Sequence, residues 1–251
     1  MARQNGILKV TGKLDDLSFY KSRDGFLVKT KSGVSKDRIQ NDPAFVRTRE
    51  NGTEFGESAS AGKLLRVAVR NMLMNAGDLR VTSRLTQEMS KVKNYDTTSA
   101  RGDRKVSVGL TDDNAKAILK GFNFNDRALL GTVLFAPFTL DTATGEIAMA
   151  SLNTANDISH ASGATHVSCQ AGFADVNFET GISDIQYSPK VNLPIDSNHT
   201  SATLTPAGVP AGTGNKFYLL MLEFFQEVNG VQYSLKNGAY NVLAIVGVDN
   251  I

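Results

Sequence analysis

The stretch NDPAFVRTRENGTEFGESASAGKLLRVAVRNML, residues 41–73, joins a segment of β character to a helical segment. Asp42 followed by Pro43 is typical of a helix N-terminus, because aspartate caps free N–H groups and proline is tolerated at the first helical position. Gly52, Gly56 and Gly62 would each weaken one continuous helix by about 1 kcal/mol relative to alanine. The stretch therefore predicts consecutive helices rather than a single long one.

The glycines divide this region into a first helix over residues 43–51 and a second over residues 57–75. Gly77 is a stop signal for the second helix. A third helix is predicted over residues 78–93, where Leu85 and Met89 belong to an apolar series with near-helical spacing.

Upstream, residues 6–31 predict a small antiparallel meander of three strands. Its apolar runs are Ile7–Val10, Leu14–Tyr20 and Phe26–Val28, and the Asp24-Gly25 pair between the last two is a hairpin signal. Three short strands are marginal on their own, so this sheet must pack on something. Its open edges could pair with another chain.

Downstream, the polar segment 94–105 is a linker candidate. From Val106 onward the sequence pattern changes to short apolar runs separated by turn residues. A short helix capped near Asp112 is followed by repeated short β runs with turn residues between them, including an Asn229-Gly230 hairpin. The predicted strand runs are 128–140, 146–151, 166–169, 174–178, 182–187, 202–204, 216–228, 231–235 and 240–248.

These patterns predict an α+β protein: an N-terminal β-meander with two to three helices, followed by a C-terminal antiparallel β-sandwich of jelly-roll kind. The predicted domains are residues 1–105, a basic meander and helical domain, and residues 106–251, a β-sandwich domain. At 251 residues, one large or two ordinary domains are expected.

The net charge of +2 hides an asymmetry. Residues 1–106 hold 21 Lys and Arg against 12 Asp and Glu, a net charge of +9, whereas residues 107–251 have a net charge of −7. A basic half joined to an acidic half indicates either a surface for nucleic acid or head-to-tail complementarity between subunits. The alternative is that helices simply carry their cations on solvated faces.

Five basic residues of the helical region are the candidate contacts for an acidic neighbouring subunit or for nucleic acid. Lys63, Arg66 and Arg70 are spaced to lie on one helical face, and such a stripe could contact phosphates. Arg47 and Arg49 precede them. Glu54 and other acidic residues interleave with this stripe, and no nucleic-acid reading motif accompanies it.

No motif for catalysis, a cofactor or a metal is present, so the chain is predicted to be non-enzymatic, without a small-molecule substrate. His160, His166 and Cys169 lack the paired spacing of a zinc site. Residues 56–63, GESASAGK, resemble a phosphate-binding loop, but the glycine spacing is wrong and Leu64 replaces the required hydroxyl residue. Residues 101–103, Arg-Gly-Asp, match a cell-adhesion tripeptide that recurs by chance.

The compartment is predicted from cysteine usage and apolar runs. A lone Cys169 excludes an internal disulfide framework and suits a reducing environment. The N-terminal residues lack the apolar core of a secretory signal peptide, and no apolar run is long enough to span a bilayer. We therefore expect synthesis in the cytoplasm, without membrane insertion and within a particle or filament.

The segments FYKSRDGFLVKTKSG, NDPAFVRTRENGTEFG and QEVNGVQYSLKNGAYN resemble uncharacterised proteins from Bacteroidota genomes. The resemblance spans both halves of the chain. It implies a bacterial origin, in a mobile-element or phage-like setting, and brings no activity and no site residue with it.

Together these features predict a structural subunit that self-assembles into a filament, a tube or a virion-like particle, with copies of itself as partners. Open strand edges and contacts between basic and acidic surfaces would hold the assembly together. The alternative is a nucleic-acid-binding protein that uses the basic helical half. A hydrolase or sugar-binding β-sandwich would require a cleft with acidic and aromatic residues.

Overall fold

A computed structural model describes residues 2–30, 33–235 and 240–249. The chain combines helices with antiparallel sheets, so the predicted α+β class is confirmed. Its contacts cluster into two compact units, residues 1–49 and residues 50–251. That boundary lies well before the predicted one between residues 105 and 106, and the division into domains 1–105 and 106–251 stays a prediction.

The first unit contains an antiparallel sheet in the order β1-β4-β3-β2. Its strands are β1 (Ala2–Arg3), β2 (Gly12–Leu14), β3 (Leu17–Ser22) and β4 (Gly25–Thr30). The predicted hairpin between β3 and β4 is present, but its two turn residues are Arg23 and Asp24, because Ser22 pairs with Gly25, the first residue of β4.

The prediction of a first strand at Ile7–Val10 is wrong, because these residues lie in a loop between β1 and β2. The side-chain amide of Gln4 donates to the Val10 carbonyl and accepts from the Val10 N–H. A side chain thus occupies the backbone groups that a neighbouring strand would use.

Two caps follow the sheet. Ser35 Oγ accepts the Arg38 N–H at 3.2 Å and begins α1 (Lys36–Asn41). Asp42 Oδ1 accepts the Ala44 N–H at 2.9 Å, and this bond, helped by the Arg38 side chain, lowers the pKa of Asp42. The predicted Asp42-Pro43 cap is therefore present, although it begins a 3-10 turn, Pro43–Phe45, that leads into α2 (Val46–Ala68).

Helix α2 runs without a break through all three glycines, so the prediction of separate helices at 43–51 and 57–75 is wrong. The helix is interrupted only at Val69, after which α3 (Arg70–Ala76) begins. Burial of Ala61 and Leu65 in the hydrophobic core offsets the cost of the glycines. Helix α4 (Val81–Val92) matches the third predicted helix.

The remaining elements are α5 (Val106–Gly109), α6 (Asp113–Leu119), α7 (Leu130–Val133), β5 (Thr139–Leu140), β6 (Ile147–Asn153), β7 (His166–Val176), β8 (Ser183–Tyr187), β9 (Val191–Pro194), β10 (His199–Leu204), β11 (Asn215–Val228), β12 (Val231–Ser234) and β13 (Val242–Asp249). Positive φ angles of 53° and 79° at Asn229 and Gly230 confirm the predicted β11–β12 hairpin turn. The predicted strand over 128–140 is wrong, since only its last two residues are strand, and β9 was not predicted.

Two antiparallel sheets organise the second unit. In the six-stranded sheet, β11 pairs with β7 along one edge and with β13 and β12 along the other. Strand β7 in turn pairs with β8 and β9. The smaller sheet has the order β10-β6-β5.

Strand β11 separates two hydrophobic clusters, because its side chains alternate between the faces of the large sheet. Phe217, Leu219 and Met221 pack with the helices, whereas Leu220 and Leu222 pack with the smaller sheet. Helices that precede residue 105 and strands that follow it therefore share one core. In the part of the chain that the structure describes, no helix is long and apolar enough to cross a membrane.

Candidate assembly surfaces

The sheet of the first unit is more apolar on one face than on the other. Cross-strand partners share a face, and the register pairs Leu14 with Leu17 and Phe19 with Val28. Phe26, opposite Lys21, belongs to the same face. We call these five apolar residues (Leu14, Leu17, Phe19, Phe26, Val28) the apolar sheet face. The opposite face carries the polar residues Lys13, Ser18, Ser22 and Lys29 together with one apolar pair, Tyr20 and Leu27.

The residues of the first unit that the structure describes are all at least partly accessible to solvent. Across residues 2–30 and 33–49, every residue is either exposed or half-buried. Leu14 and Leu17 on the apolar sheet face are exposed, and Phe19, Phe26 and Val28 are only half-buried. A sheet with one apolar face is stable only when that face packs against another layer.

The loop between β1 and β2 adds a projecting apolar tip. Ile7 is fully exposed and Leu8 is 84% exposed. Gln4 closes the loop through its bonds to both backbone groups of Val10, and Lys9 Nζ donates to the Gln4 carbonyl. These bonds give the tip a defined shape.

The sheet also has an open edge. Strand β2 pairs only with residues 17–19 of β3, so within the described part of the chain Lys21 and Ser22 lie beyond the end of β2 on that side. The exposed edge of a sheet is where a strand from another chain can add.

The predicted basic stripe lies on α2 and at the start of α3. Lys63 and Arg70 are exposed, while Arg66 is half-buried and its Nε has no hydrogen-bond partner among the described residues. Two exposed apolar side chains, Val67 and Met74, accompany the cations. The surface is therefore mixed in character, with apolar area available beside the charges.

Arg47 and Arg49 belong to the first unit, apart from the three later cations. Arg49 Nη1 donates to the carbonyls of Ile39 at 2.7 Å and Asp42 at 3.1 Å, where it satisfies the end of α1. Arg47 is exposed. Arg49 consequently has a local structural task.

Two grooves open on the second unit. One, of about 240 Å³, lies between α2 and the β7–β8 turn and is lined by Glu57, Ser60, Ala61, Leu64 and residues 178–181. The other, of about 400 Å³, is lined by residues that include Arg84, Lys120, Phe122 and Leu129. Arg84 is already bound to Asp78 and to the Asn123 carbonyl, so its charge is largely occupied.

The segment 94–105, predicted as a linker, is fastened to α2. Glu54 on α2 forms a buried ion pair with Lys93 and accepts the Gly102 N–H at 2.8 Å. Arg101 Nε lies 3.3 Å from a carboxylate oxygen of Glu50. The Arg-Gly-Asp tripeptide thus serves a structural role here, since Arg101 and Gly102 hold the segment in place.

Asp96 stabilises the same segment from within. Its carboxylate accepts hydrogen bonds from the backbone of Thr98, Ser99 and Lys105 at 2.9–3.1 Å. Burial alone would raise the pKa of Asp96, but the hydrogen bonds from Ser99, Lys105 and Thr98 outweigh it and lower that pKa far below its usual range. The sequence shows these residues, but not that they converge.

The histidines and the cysteine do not converge. His166 Nε2 lies 3.6 Å from Glu227, His199 Nδ1 lies 3.1 Å from Ser151 Oγ, and His160 contacts the backbone of Ala161. Cys169 is buried in the large sheet. Among the described residues, no three His, Cys, Asp or Glu side chains come close enough to hold a metal ion.

No family model matches the chain, and neither a curated protein nor a solved structure is significantly similar to it. The resemblance to Bacteroidota proteins therefore stays a prediction.

Proposed function

We propose that the chain is a non-enzymatic structural subunit that assembles with copies of itself into a filament, a tube or a virion-like particle. The observation that supports this most directly is the apolar sheet face, in a unit that buries none of its described residues. Such a face gains free energy only by contact with another layer, at about 25 cal/mol per Å² of apolar surface removed from water. A neighbouring subunit would supply that layer.

Charge favours a head-to-tail arrangement of the subunits. Residues 1–49 hold 11 Lys and Arg and 5 Asp and Glu, a net charge of +6. Residues 50–251 hold 16 Lys and Arg and 20 Asp and Glu, a net charge of −4. Opposite charges steer association, so the first unit of one copy would meet the second unit of the next. Contacts between unlike surfaces propagate into open or ring-shaped assemblies.

The hydrophobic packing within the second unit supports a β-sandwich as its architecture. Side chains from the six-stranded sheet, such as Leu220 and Leu222, share a hydrophobic cluster with Ile147 and Leu204 of the three-stranded sheet. Two sheets that bury a common core are the defining feature of a sandwich. The jelly-roll connectivity stays a prediction.

Two matched double variants of the full chain test the proposed assembly. Phe19→Ser with Val28→Ser removes a facing pair from the apolar sheet face. Tyr20→Ser with Leu27→Ser removes the next facing pair, on the opposite face of the same two strands. Sedimentation and negative-stain microscopy should show polymers for the wild type and the second variant, and loss of polymers for the first.

The outcome that overturns the proposal is a wild-type chain that stays at its monomer mass of 27.0 kDa at high concentration. If both double variants assembled equally well, the apolar sheet face would not be part of the contact between subunits. Urea unfolding of each variant confirms that the second unit remains folded.

Nucleic-acid binding is the alternative function, favoured by the exposure of Lys63 and Arg70 two turns apart. Cations that neutralise phosphates make binding weaken steeply with salt. Replacement of Lys63, Arg66 and Arg70 by glutamate should then abolish salt-dependent retention on DNA or RNA. If the triple variant were still retained, this surface would be excluded as the nucleic-acid-binding site.

A further inference from the structure

The tip of the β1–β2 loop is an ordered, exposed apolar projection that could insert into a groove. Ile7 is fully exposed, Leu8 is 84% exposed, and the Gln4 clamp fixes the loop that carries them. An ordered apolar tip loses little conformational entropy on binding, which favours association. Arg3 and Lys9 stand beside it in the sequence and make its surroundings basic.

The smaller groove of the second unit has the complementary chemistry. Ala61 is buried, and Leu64 and Phe178 are half-buried, so apolar side chains form part of its lining. Glu57 and Glu179 also line it, and within the described part of the chain neither carboxylate forms an ion pair. The groove therefore suits an apolar group flanked by cations.

Its size argues for a side chain as the occupant. At about 240 Å³ the groove is smaller than the roughly 300–1,000 Å³ of most small-molecule sites. One or two aliphatic side chains are a better match than a cofactor. The groove is also rigid on one side, because the Asn177 side chain accepts the N–H groups of Glu179 and Thr180 at 3.0 Å and 2.9 Å.

We infer that the Ile7-Leu8 tip of one copy inserts into the groove between α2 and the β7–β8 turn of a second copy, with Lys9 facing Glu57 and Glu179. This inference rests on the proposed assembly and names one contact within it. The tip and the groove are different surfaces, so each copy can give its tip to one neighbour and receive a tip from another. Such a heterologous contact forms rings when its rotation closes and open filaments when it does not.

Disulfide trapping between two differently tagged full-length chains tests the contact. One chain carries Leu8→Cys, and the other carries Ser60→Cys at the exposed rim of the groove. The native Cys169 is buried and does not interfere. Oxidation of the mixture should give a mixed dimer on a non-reducing gel, in at least tenfold excess over a pairing of Leu8→Cys with the matched control Thr111→Cys, which is exposed and outside the groove.

Charge exchange supplies an independent readout. Lys9→Glu and the double variant Glu57→Lys, Glu179→Lys should each reduce assembly. Because Lys9 also donates to the Gln4 carbonyl, the deciding result is that mixing the two variant chains restores the tip-to-groove contact between them. Val34→Asp, an exposed apolar residue of the same unit outside the loop, should assemble like the wild type. If the wild type assembles but trapping and charge exchange have no effect, the inference is overturned while the proposed function stands. A wild-type monomer would overturn both.

Discussion

The carboxylate of Glu54 accepts the backbone N–H of Gly102 at 2.8 Å while its other oxygen pairs with Lys93. One side chain of α2 thereby binds two residues that follow 39 and 48 positions later in the chain. Glu54 is 5% exposed and Lys93 is 9% exposed, so the pair is shielded from water. Hydrogen bonding by Lys93 and Gly102 holds the pKa of Glu54 below its usual value.

The first prediction concerns this buried pair. Glu54→Gln keeps the shape of the side chain but leaves the ammonium of Lys93 buried without a counter-charge. Removal of one member of a buried ion pair costs about 3 kcal/mol or more. Urea unfolding should show this loss. Glu88→Gln is the control, because the Glu88–Lys91 pair is more exposed and worth about 1 kcal/mol or less. Equal effects of the two changes would contradict the structural role of Glu54.

The second prediction follows from Asp96, whose pKa is lowered in the folded state from a usual value of 3.8. Its stabilising contribution is complete above the unfolded-state value and is lost as the pH falls towards the folded-state value. The free energy of unfolding of the wild type should therefore decrease between about pH 5 and pH 3. Asp96→Asn should be less stable at neutral pH and should show a shallower decrease. Parallel profiles for the two proteins would show that Asp96 contributes nothing.

The third prediction separates backbone strain from steric contact at Gly102. Its φ is +99°, and an added Cβ would lie 3.1 Å from Glu50 Cγ. Gly121 has a similar φ of +88°, with no atom within 4 Å of an added Cβ. Gly121→Ala should cost about 1 kcal/mol from conformation alone, and Gly102→Ala should cost more because Glu50 must also move. Thermal unfolding of the two variants measures the difference, and a smaller loss at Gly102 would refute it.

Features that depend on adjacent residues are predictable from the sequence. The Asn229-Gly230 turn and the Asp112 cap of α6 each depend on a few adjacent residues, and both were predicted correctly. The strand predicted over residues 216–228 matches β11, because a strand buried on both faces has a nearly continuous apolar run, interrupted here only by Glu223.

Features that depend on residues far apart in the sequence could not be predicted. The segment 94–105 has the composition of a linker, yet Glu54 binds it from a distant part of the sequence. Residues 7–10 have the apolar pattern of a strand, but the Gln4 side chain forms hydrogen bonds with both backbone groups of Val10. Helix α2 continues through its glycines because core packing outweighs their intrinsic cost. The groove and the loop tip likewise depend on tertiary placement, which one sequence does not reveal.

The last prediction uses Cys169 as a reporter of the second unit. Burial in the large sheet raises the pKa of its thiol to about 12, so the reactive thiolate is scarce at neutral pH. A thiol-specific reagent should leave the folded protein unmodified and should react fully in urea. An exposed Ser60→Cys control should react at once under native conditions. Modification of Cys169 requires opening of the core that β7 and β11 share. The rate of modification should therefore rise in Glu54→Gln if that change destabilises the whole second unit. The rate should stay constant if only residues 94–105 detach.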